Sequence, residues 1–460
     1  MFARKQLFSR GLGIALVATV VASGVALSQE ARQERFRAGG APFAEDAPRL
    51  DARAAGTTSA TSGATTQAEF LSEAPTGFDN RTNGFDPQGP AFDDIDEETV
   101  VPLRSFNDNR FIFEEAEVIA DGLGPTFNAQ SCRECHQNVV TGGASQVAEH
   151  RTGRLDASGG FFESLGGSLI HSRATHPNIV ERVNFEDDVR TFRVSTNTLG
   201  NGFVEAVANE TLLAIRDRQP ASMRGSATLV PVLEAPGTTR VGRFGWKSQH
   251  ASLKSFSADA YLNEMGITSP LLPQENTSAG RYVGPGSGFD PVADPEDDGI
   301  DVDAFADFMR STKAPSRGPI NATVRAGEQL FNQVGCNVCH VPTLVTSRPG
   351  TLINGGALRV PTALGNKVFH PYSDFLMHDI GSGDGIPVLP GAEFAGTAVQ
   401  MRTAPLWALR TRNRLMHDGL SFTKQEAIAR HAGQAAAVTA RYNALAQADK
   451  TRVLAFLDSL

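Results

Sequence analysis

Two pentads carry the chemistry available to this chain: Cys132-Arg133-Glu134-Cys135-His136 and, 204 positions later, Cys336-Asn337-Val338-Cys339-His340. Each is a Cys-x-x-Cys-His run, whose thiols can add across the vinyl groups of a haem while the next residue, His, comes up beneath the ring as an iron ligand. Other readings explain less. A zinc ribbon spaces its cysteine pairs by roughly 15 to 20 residues, and a dithiol oxidoreductase needs no His after the pair. The pentads use all four cysteines, which leaves no thiol for a disulfide. The expected cofactors are two covalently attached c-type haems, one held by Cys132, Cys135 and His136, the other by Cys336, Cys339 and His340.

An iron with one protein ligand either stays open to a substrate or takes a second side chain, and that choice separates catalysis from electron transfer. For the second haem the sequence offers His431. Thr423 as cap, Glu426 three residues on and Phe422 just before the cap predict a helix from Lys424. Ala427 and Ile428 lie four and three residues before His431, so the imidazole falls on the apolar face. The competitors are Met377, Met401 and Met416, of which Met401 lies 61 residues after His340. Each of these is equally a packing residue. For the first haem the far side is less determined, with His150 14 residues after His136, and His171 and His176 further on. Peroxide cleavage would also need a group that carries a proton between two oxygens. Glu149, Glu163 and Gln146 are the nearest in sequence, and nothing in their context selects one.

The elements around the pentads repeat. Phe127-Asn128-x-x-x-Cys132 matches Phe331-Asn332-x-x-x-Cys336, which implies two related modules. Val324, Gly327, Leu330, Phe331 and Val334 share one helical face and predict a helix leading into the second pentad. Closing helices are predicted over Asp449 to Leu460 and over Asp301 to Thr312, with Ala314 to Pro319 as linker. Ala227 to Leu233 and Thr238 to Phe244 flank Pro236-Gly237 and predict a small hairpin within the first module. The expected fold is therefore mainly α, with two cytochrome c-like haem domains over 76–317 and 318–460, the first enlarged by an insertion with a small β hairpin.

The N-terminus carries Arg4, Lys5 and Arg10, an apolar run from Leu12 to Ala22, and small residues up to Ser28. Residues 1–28 read as a secretory signal, so a periplasmic location is expected. As a retained anchor the run is short and interrupted by Gly11, Gly13, Ser23 and Gly24, so no stable membrane insertion is expected. Residues 29–75, rich in Ala, Gly, Thr and Ser, read as a disordered tether. The formal charge of −9 becomes −12 without the three signal cations. This acidic balance argues against a nucleic-acid partner.

From about Gly122 onward the chain resembles the bacterial di-haem oxidoreductases, a group distantly similar to the di-haem cytochrome c peroxidases and to the tryptophylquinone-forming enzymes. Gly122-Leu-Gly-Pro-Thr-Phe-Asn128, Gly242-Arg-Phe-Gly-Trp-Lys247, Asn263-Glu-Met-Gly-Ile-Thr-Ser-Pro270, Tyr372-Ser-Asp-Phe-Leu-Met-His-Asp-Ile-Gly381 and Arg402-Thr-Ala-Pro-Leu-Trp407, followed by His417-Asp-Gly419, carry the resemblance. It implies an oxidoreductase that reduces hydrogen peroxide or another small oxidant at the N-terminal haem. Electrons would come from a small redox protein or other external donor and pass through the C-terminal haem. In the peroxidases the far ligand of the C-terminal haem lies fourteen residues after the His of a His-Asp-Gly motif, which here is His431, counting from His417. Those enzymes usually have Met there and the quinone-forming relatives Tyr; His would lower the haem potential. His150 lies close to the interval at which the peroxidases supply a displaceable His.

Trp246 and Trp407 are candidates for an aromatic relay between haems, although core packing explains both. His378-Asp379 and His417-Asp418 read as buried hydrogen-bonded pairs, and the acidic run Asp294 to Asp303 as a loop and helix start or a calcium site without the EF-hand pattern. Two other functions fit the same residues. One is a non-catalytic di-haem electron-transfer cytochrome c, and the other is oxygen-dependent chemistry on an organic substrate, as in the distantly similar rubber oxygenases.

Overall fold

The helix Ala322–Val334 starts where the Asn321 side chain accepts the Val324 amide at 3.0 Å, and ends at Gly335, which takes a left-handed φ of 94°. Its buried residues are Val324, Gly327, Phe331 and Val334. They pack on the helix Gln447–Leu457, where Phe331, Tyr372 and Phe456 stack edge to face with Val453, Leu457 and Leu460 around them. Gly327 sets the approach, since a Cβ there would stand 1.9 Å from the Arg452 carbonyl oxygen. Gly327→Ala is expected to cost about 1–3 kcal/mol through overpacking, read as a lower urea midpoint at unchanged slope.

The first pentad has its own helical frame. Helix Phe106–Glu114 lies against Ile300–Ser311, which packs in turn on Leu253–Met265. Phe113 touches Phe308 at 4.6 Å and Phe305 at 6.1 Å, and Tyr261 meets Phe305 edge-on at 5.0 Å.

This computed structural model describes residues 71–77, 106–157, 159–389 and 391–460. The signal sequence, and the tether up to residue 70, lie outside the described residues. At the end of the expected tether, Ser72–Glu73 forms a strand, paired in parallel with Lys367–Phe369 through Ser72↔Lys367 and Glu73↔Val368. No helix among the described residues is long and apolar enough to cross a membrane.

The expectation of a mainly α fold is overturned. Of the described residues 33% are helical and 16% are in strands, spread over seven small sheets, so the fold mixes α and β. The largest is a four-stranded sheet in which Ala148–Leu155 pairs with Val189–Val194, Phe161–Phe162 and Leu169–Ile170. The small hairpin is present as Leu229–Pro231 against Thr239–Val241, but it is one of many. The physical reason is punctuation: 45 Gly and 25 Pro stop helices and favour two-residue ladders joined by turns.

One buried cluster includes Phe106, Phe113 and Phe308 together with Val241, Leu344, Phe369 and Trp407. Side chains from both sides of the 317/318 boundary thus share a core. The described residues form one compact unit.

Candidate haem sites

The second pentad follows the helix Ala322–Val334 directly, as a tight turn over Cys336–Val338. His340 Nδ1 lies 2.9 Å from the Tyr372 carbonyl, and His431 Nδ1 lies 2.7 Å from the Ala427 carbonyl. A carbonyl only accepts, so each Nδ1 carries the hydrogen and each Nε2 keeps its lone pair. The two rings stand 6.5 Å apart between centroids. That gap fits a metal with bonds of about 2 Å to a nitrogen on either side.

The local sequence places both histidines. Thr423 and Glu426 form a complete capping box at the start of the helix Lys424–Ala429, and His431 follows its end. Tyr372 holds a left-handed φ of 51°, unusual for a bulky side chain, while its hydroxyl donates to Glu328 at 2.6 Å. Phe375, Ala408 and Met416, on the loops around the same cavity, also have positive φ.

Between the imidazoles lies a cavity lined by Cys336, Cys339, His340 and His431, with largely apolar walls that include Phe331, Leu409 and Val438. Arg402 and Arg412 also line it. Burial pushes both guanidiniums down to about 10, and no ion pair holds either among the described residues. Two unmatched cations in an apolar cavity call for two anionic groups, and a haem carries two propionates. The donor set, the cavity and these cations all fit a haem.

His378 lies at the edge of this cavity. Its Nε2 meets Asp374 at 2.8 Å and its Nδ1 faces Cys339 Sγ at 3.7 Å. Burial alone would lower its pKa, but the hydrogen bond to fully buried Asp374 and the neighbouring Cys339 raise it to about 10. The partners differ from the adjacent pairs expected: His378 takes Asp374 rather than Asp379, Asp418 pairs with Arg430, and His417 faces the Trp246 ring. Met401 and Met416 line the cavity as well, whereas Met377 is buried in a strand pair with Arg402.

At the first pentad, Ser131 caps a single turn, Cys132–Cys135, by accepting the Glu134 amide at 3.3 Å. His136 Nδ1 lies 3.1 Å from the Gly143 carbonyl, and its ring lies 6.2 Å from that of Phe113. One turn before Phe113, the Asn109 side chain is fully buried, with neither amide atom hydrogen-bonded. Burial, together with nearby Glu264 and Glu149, pushes the Cys135 thiol up to about 12, and burial raises Cys132 as well. Such thiols stay neutral, unlike zinc-bound or redox-active cysteines. Two neutral thiols, the His136 imidazole and an unpartnered buried amide close by fit a haem.

The other expected candidates are placed as follows. His150 sits in the strand Ala148–Leu155 with its ring stacked on Phe192 at 4.7 Å, facing away from its neighbour Glu149. His171 is buried between Glu181 and the Asn263 carbonyl, and His176 caps a surface turn. Trp246 lines the second cavity and donates to the Val194 carbonyl at 2.7 Å. Trp407 is buried against Phe369 with its indole N–H unpartnered. From the acidic run, Asp294 and Glu296 join Glu275 and Asp290, each offering one oxygen, all within 4.8 Å of one another.

The two pentad regions touch. Asn138, two residues after His136, donates to the Thr411 carbonyl at 3.0 Å, and Val140 packs with Leu199 on Ala408. Leu409 and Arg412, on that same stretch, line the second cavity.

The sequence model of the family described as "Di-haem oxidoreductase, putative peroxidase" matches residues 168–460, more than half of the chain. The first pentad lies before the matched residues. A hydrazine synthase from Kuenenia stuttgartiensis, solved under xenon pressure, superposes with a TM-score of 0.36 at 14% identity, covering 90% of this chain and all of that one. A MauG-like protein associated with microbial copper homeostasis gives 0.27 at 14% identity, covering 57% of this chain and 89% of that one. No curated protein matches the sequence.

Proposed function

The chain belongs to the di-haem oxidoreductase family, and on that premise we propose that it is an exported, periplasmic enzyme reducing hydrogen peroxide or another small oxidant. Cys132 and Cys135, and Cys336 and Cys339, would hold the haems as thioethers, with His136, His340 and His431 as the imidazoles that would bind iron. When bound, each haem supplies a one-electron centre, and one with an open face adds a position for a small oxidant. The Tyr372 and Ala427 carbonyls fix the tautomer and direction of His340 and His431. Arg402 and Arg412 neutralise the propionates of the second haem.

The observation carrying this reading is an asymmetry. A Phe ring lies 6.2 Å from each histidine, Phe113 beside His136 and Phe331 beside His340, but only His340 has a second imidazole, that of His431 at 6.5 Å, among the described residues. The second haem is therefore read as saturated, receiving electrons from an external donor such as a small redox protein, and the first as the place where the oxidant is reduced. The contact from Asn138 to Thr411 ties the two pentad regions together, which supports electron passage between them. The test is to reduce the purified protein, add hydrogen peroxide and follow donor oxidation. A rate above that of free haem is expected, and a rate no higher than that would overturn the peroxidase reading.

A second reading, electron transfer alone, is favoured by one residue: His431 in place of a Met gives a low-potential iron without free positions. A further prediction holds for either reading. Arg412 is a positive charge beside the second haem, which favours the reduced state. Arg412→Gln is expected to lower that haem's midpoint potential in a spectroelectrochemical titration while leaving the other haem unchanged.

A further inference from the structure

Three consecutive residues of one tight turn grip the edge of the second cavity. Gly245 takes a left-handed φ of 73° and accepts the Ser248 amide at 3.3 Å, which closes the turn around Trp246 and Lys247. The Gly245 carbonyl accepts Arg402 Nε at 2.6 Å, and the Trp246 carbonyl accepts the Arg402 amide at 2.8 Å. Lys247 reaches the same stretch with its side chain, whose Nζ donates to the Gln400 carbonyl at 2.6 Å. Trp246, Met401 and Arg402 line the cavity. The reading of that cavity as a haem site uses Arg402 and gives Lys247 no part.

Lys247 is fully buried, and its ammonium sits in a shell of oxygens. Besides Gln400, the carbonyls of Thr397 at 2.9 Å and Ala398 at 3.0 Å accept from Nζ, and Asp384 Oδ1 lies 2.9 Å away. All four groups belong to the chain between the strands Met377–His378 and Met401–Arg402, which pair with each other. An ammonium donates three hydrogens and accepts none, so a shell made only of acceptors suits it. Asp384 is held in turn by Arg193 Nε at 2.8 Å and by the Ile386 amide at 3.1 Å. Two cations against one carboxylate leave this buried cluster with one positive charge in excess. Removing the ammonium would leave four acceptors, one of them ionised, facing each other without a donor from Lys247.

From this arrangement we infer that Lys247 is a positioning residue for the second haem: its ammonium gathers residues 384–400 and, through the Gln400 carbonyl, holds Arg402 at the cavity wall. The inference rests on that cavity holding a haem whose propionates Arg402 neutralises. No ion pair fixes the Arg402 guanidinium among the described residues. Its place is set instead by the Gly245 carbonyl at Nε, by the Trp246 carbonyl at its amide and by the anchored Gln400 two residues earlier. Without the ammonium that anchor is lost, and Arg402 is free to move away from the cavity. A cation farther from a haem favours the reduced state less, so the potential of the second haem falls.

The test is a double-mutant cycle read by spectroelectrochemical titration of the haem-loaded protein. Lys247→Met is expected to lower the midpoint potential of the second haem and to affect the first haem less. In the Arg402→Gln background the same substitution is expected to give a smaller shift than in wild type, because the group that Lys247 positions is gone. If Lys247→Met does not fold, Lys247→Gln, whose amide still donates to two of the four oxygens, is read in the same way. No shift in the second haem, an equal shift in both haems, or full additivity with Arg402→Gln overturns the inference. The underlying reading fails separately: Arg402→Gln without effect on the second haem would overturn Arg402 as a propionate partner, and the inference with it.

Discussion

Replacing His431 with Met is expected to raise the midpoint potential of one haem and leave the other where it was. A thioether donates less charge to iron than an imidazole and stabilises the reduced state. Axial ligands together set haem potentials over roughly 0.8 V, so a single ligand exchange should move the second haem by a readily measured fraction of that range. The Met side chain is flexible enough to reach into the cavity from the same backbone position. His431→Ala should instead open the second iron, giving it a high-spin signal and binding of cyanide. If neither variant changes the spectrum, His431 is not a ligand. The ring spacing of 6.5 Å, with both Nδ1 atoms tied to carbonyls, is what makes this prediction specific to one haem.

The second large effect concerns stability. Glu205 is fully buried and its two oxygens serve four donors: Arg310 Nε at 2.7 Å and Nη2 at 3.1 Å, the Leu253 amide at 2.8 Å and Asn354 Nδ2 at 2.9 Å. Removing one partner of such a buried pair leaves the other charge uncompensated. Glu205→Ala is therefore expected to cost about 3–5 kcal/mol in urea unfolding, with Glu205→Gln costing less because it still accepts. The pH dependence has a definite sign. Burial alone would raise the Glu205 pKa, but Arg310 and the other donors outweigh it and hold it low. The stabilisation is then fully present above the unfolded carboxyl value of about 4.3 and is lost as pH falls through the lower folded value. The stability gap between wild type and Glu205→Gln should shrink over that acidic range.

Much of the site was legible because its signals are local. The pentads are contiguous, and the face of Val324, Phe331 and Val334 specifies the helix observed at Ala322–Val334. Thr423 and Glu426 form the capping box their spacing implies. Helix phase from Lys424 put His431 on an apolar face and the resemblance pointed to the same residue; the structure ends that helix at Ala429 and sets the His431 ring 6.5 Å from that of His340. The remainder depends on contacts between residues distant in sequence. Arg193 and Glu149 become strand neighbours only when the four-stranded sheet forms, and those strands are too rich in Arg and Glu to read as half-buried. That Arg402 and Arg412 have no ion-pair partner among the described residues cannot be read from a sequence in which carboxylates outnumber cations. His378 was expected to pair with its neighbour Asp379, but it pairs with Asp374, four residues earlier, across the irregular turn that precedes the strand Met377–His378. The mainly α expectation failed because two-residue ladders have no periodicity to detect.

The central claim is that the two haems are unequal, one closed by His340 and His431 and one open at its far face. Low-temperature electron paramagnetic resonance of the haem-loaded protein, recorded oxidised and after partial reduction with and without cyanide, tests it most directly. The expected result is one low-spin haem indifferent to cyanide and a second that is high-spin or converts on adding cyanide. Two haems that stay low-spin in every redox state and bind no small ligand would contradict the claim and leave electron transfer as the function.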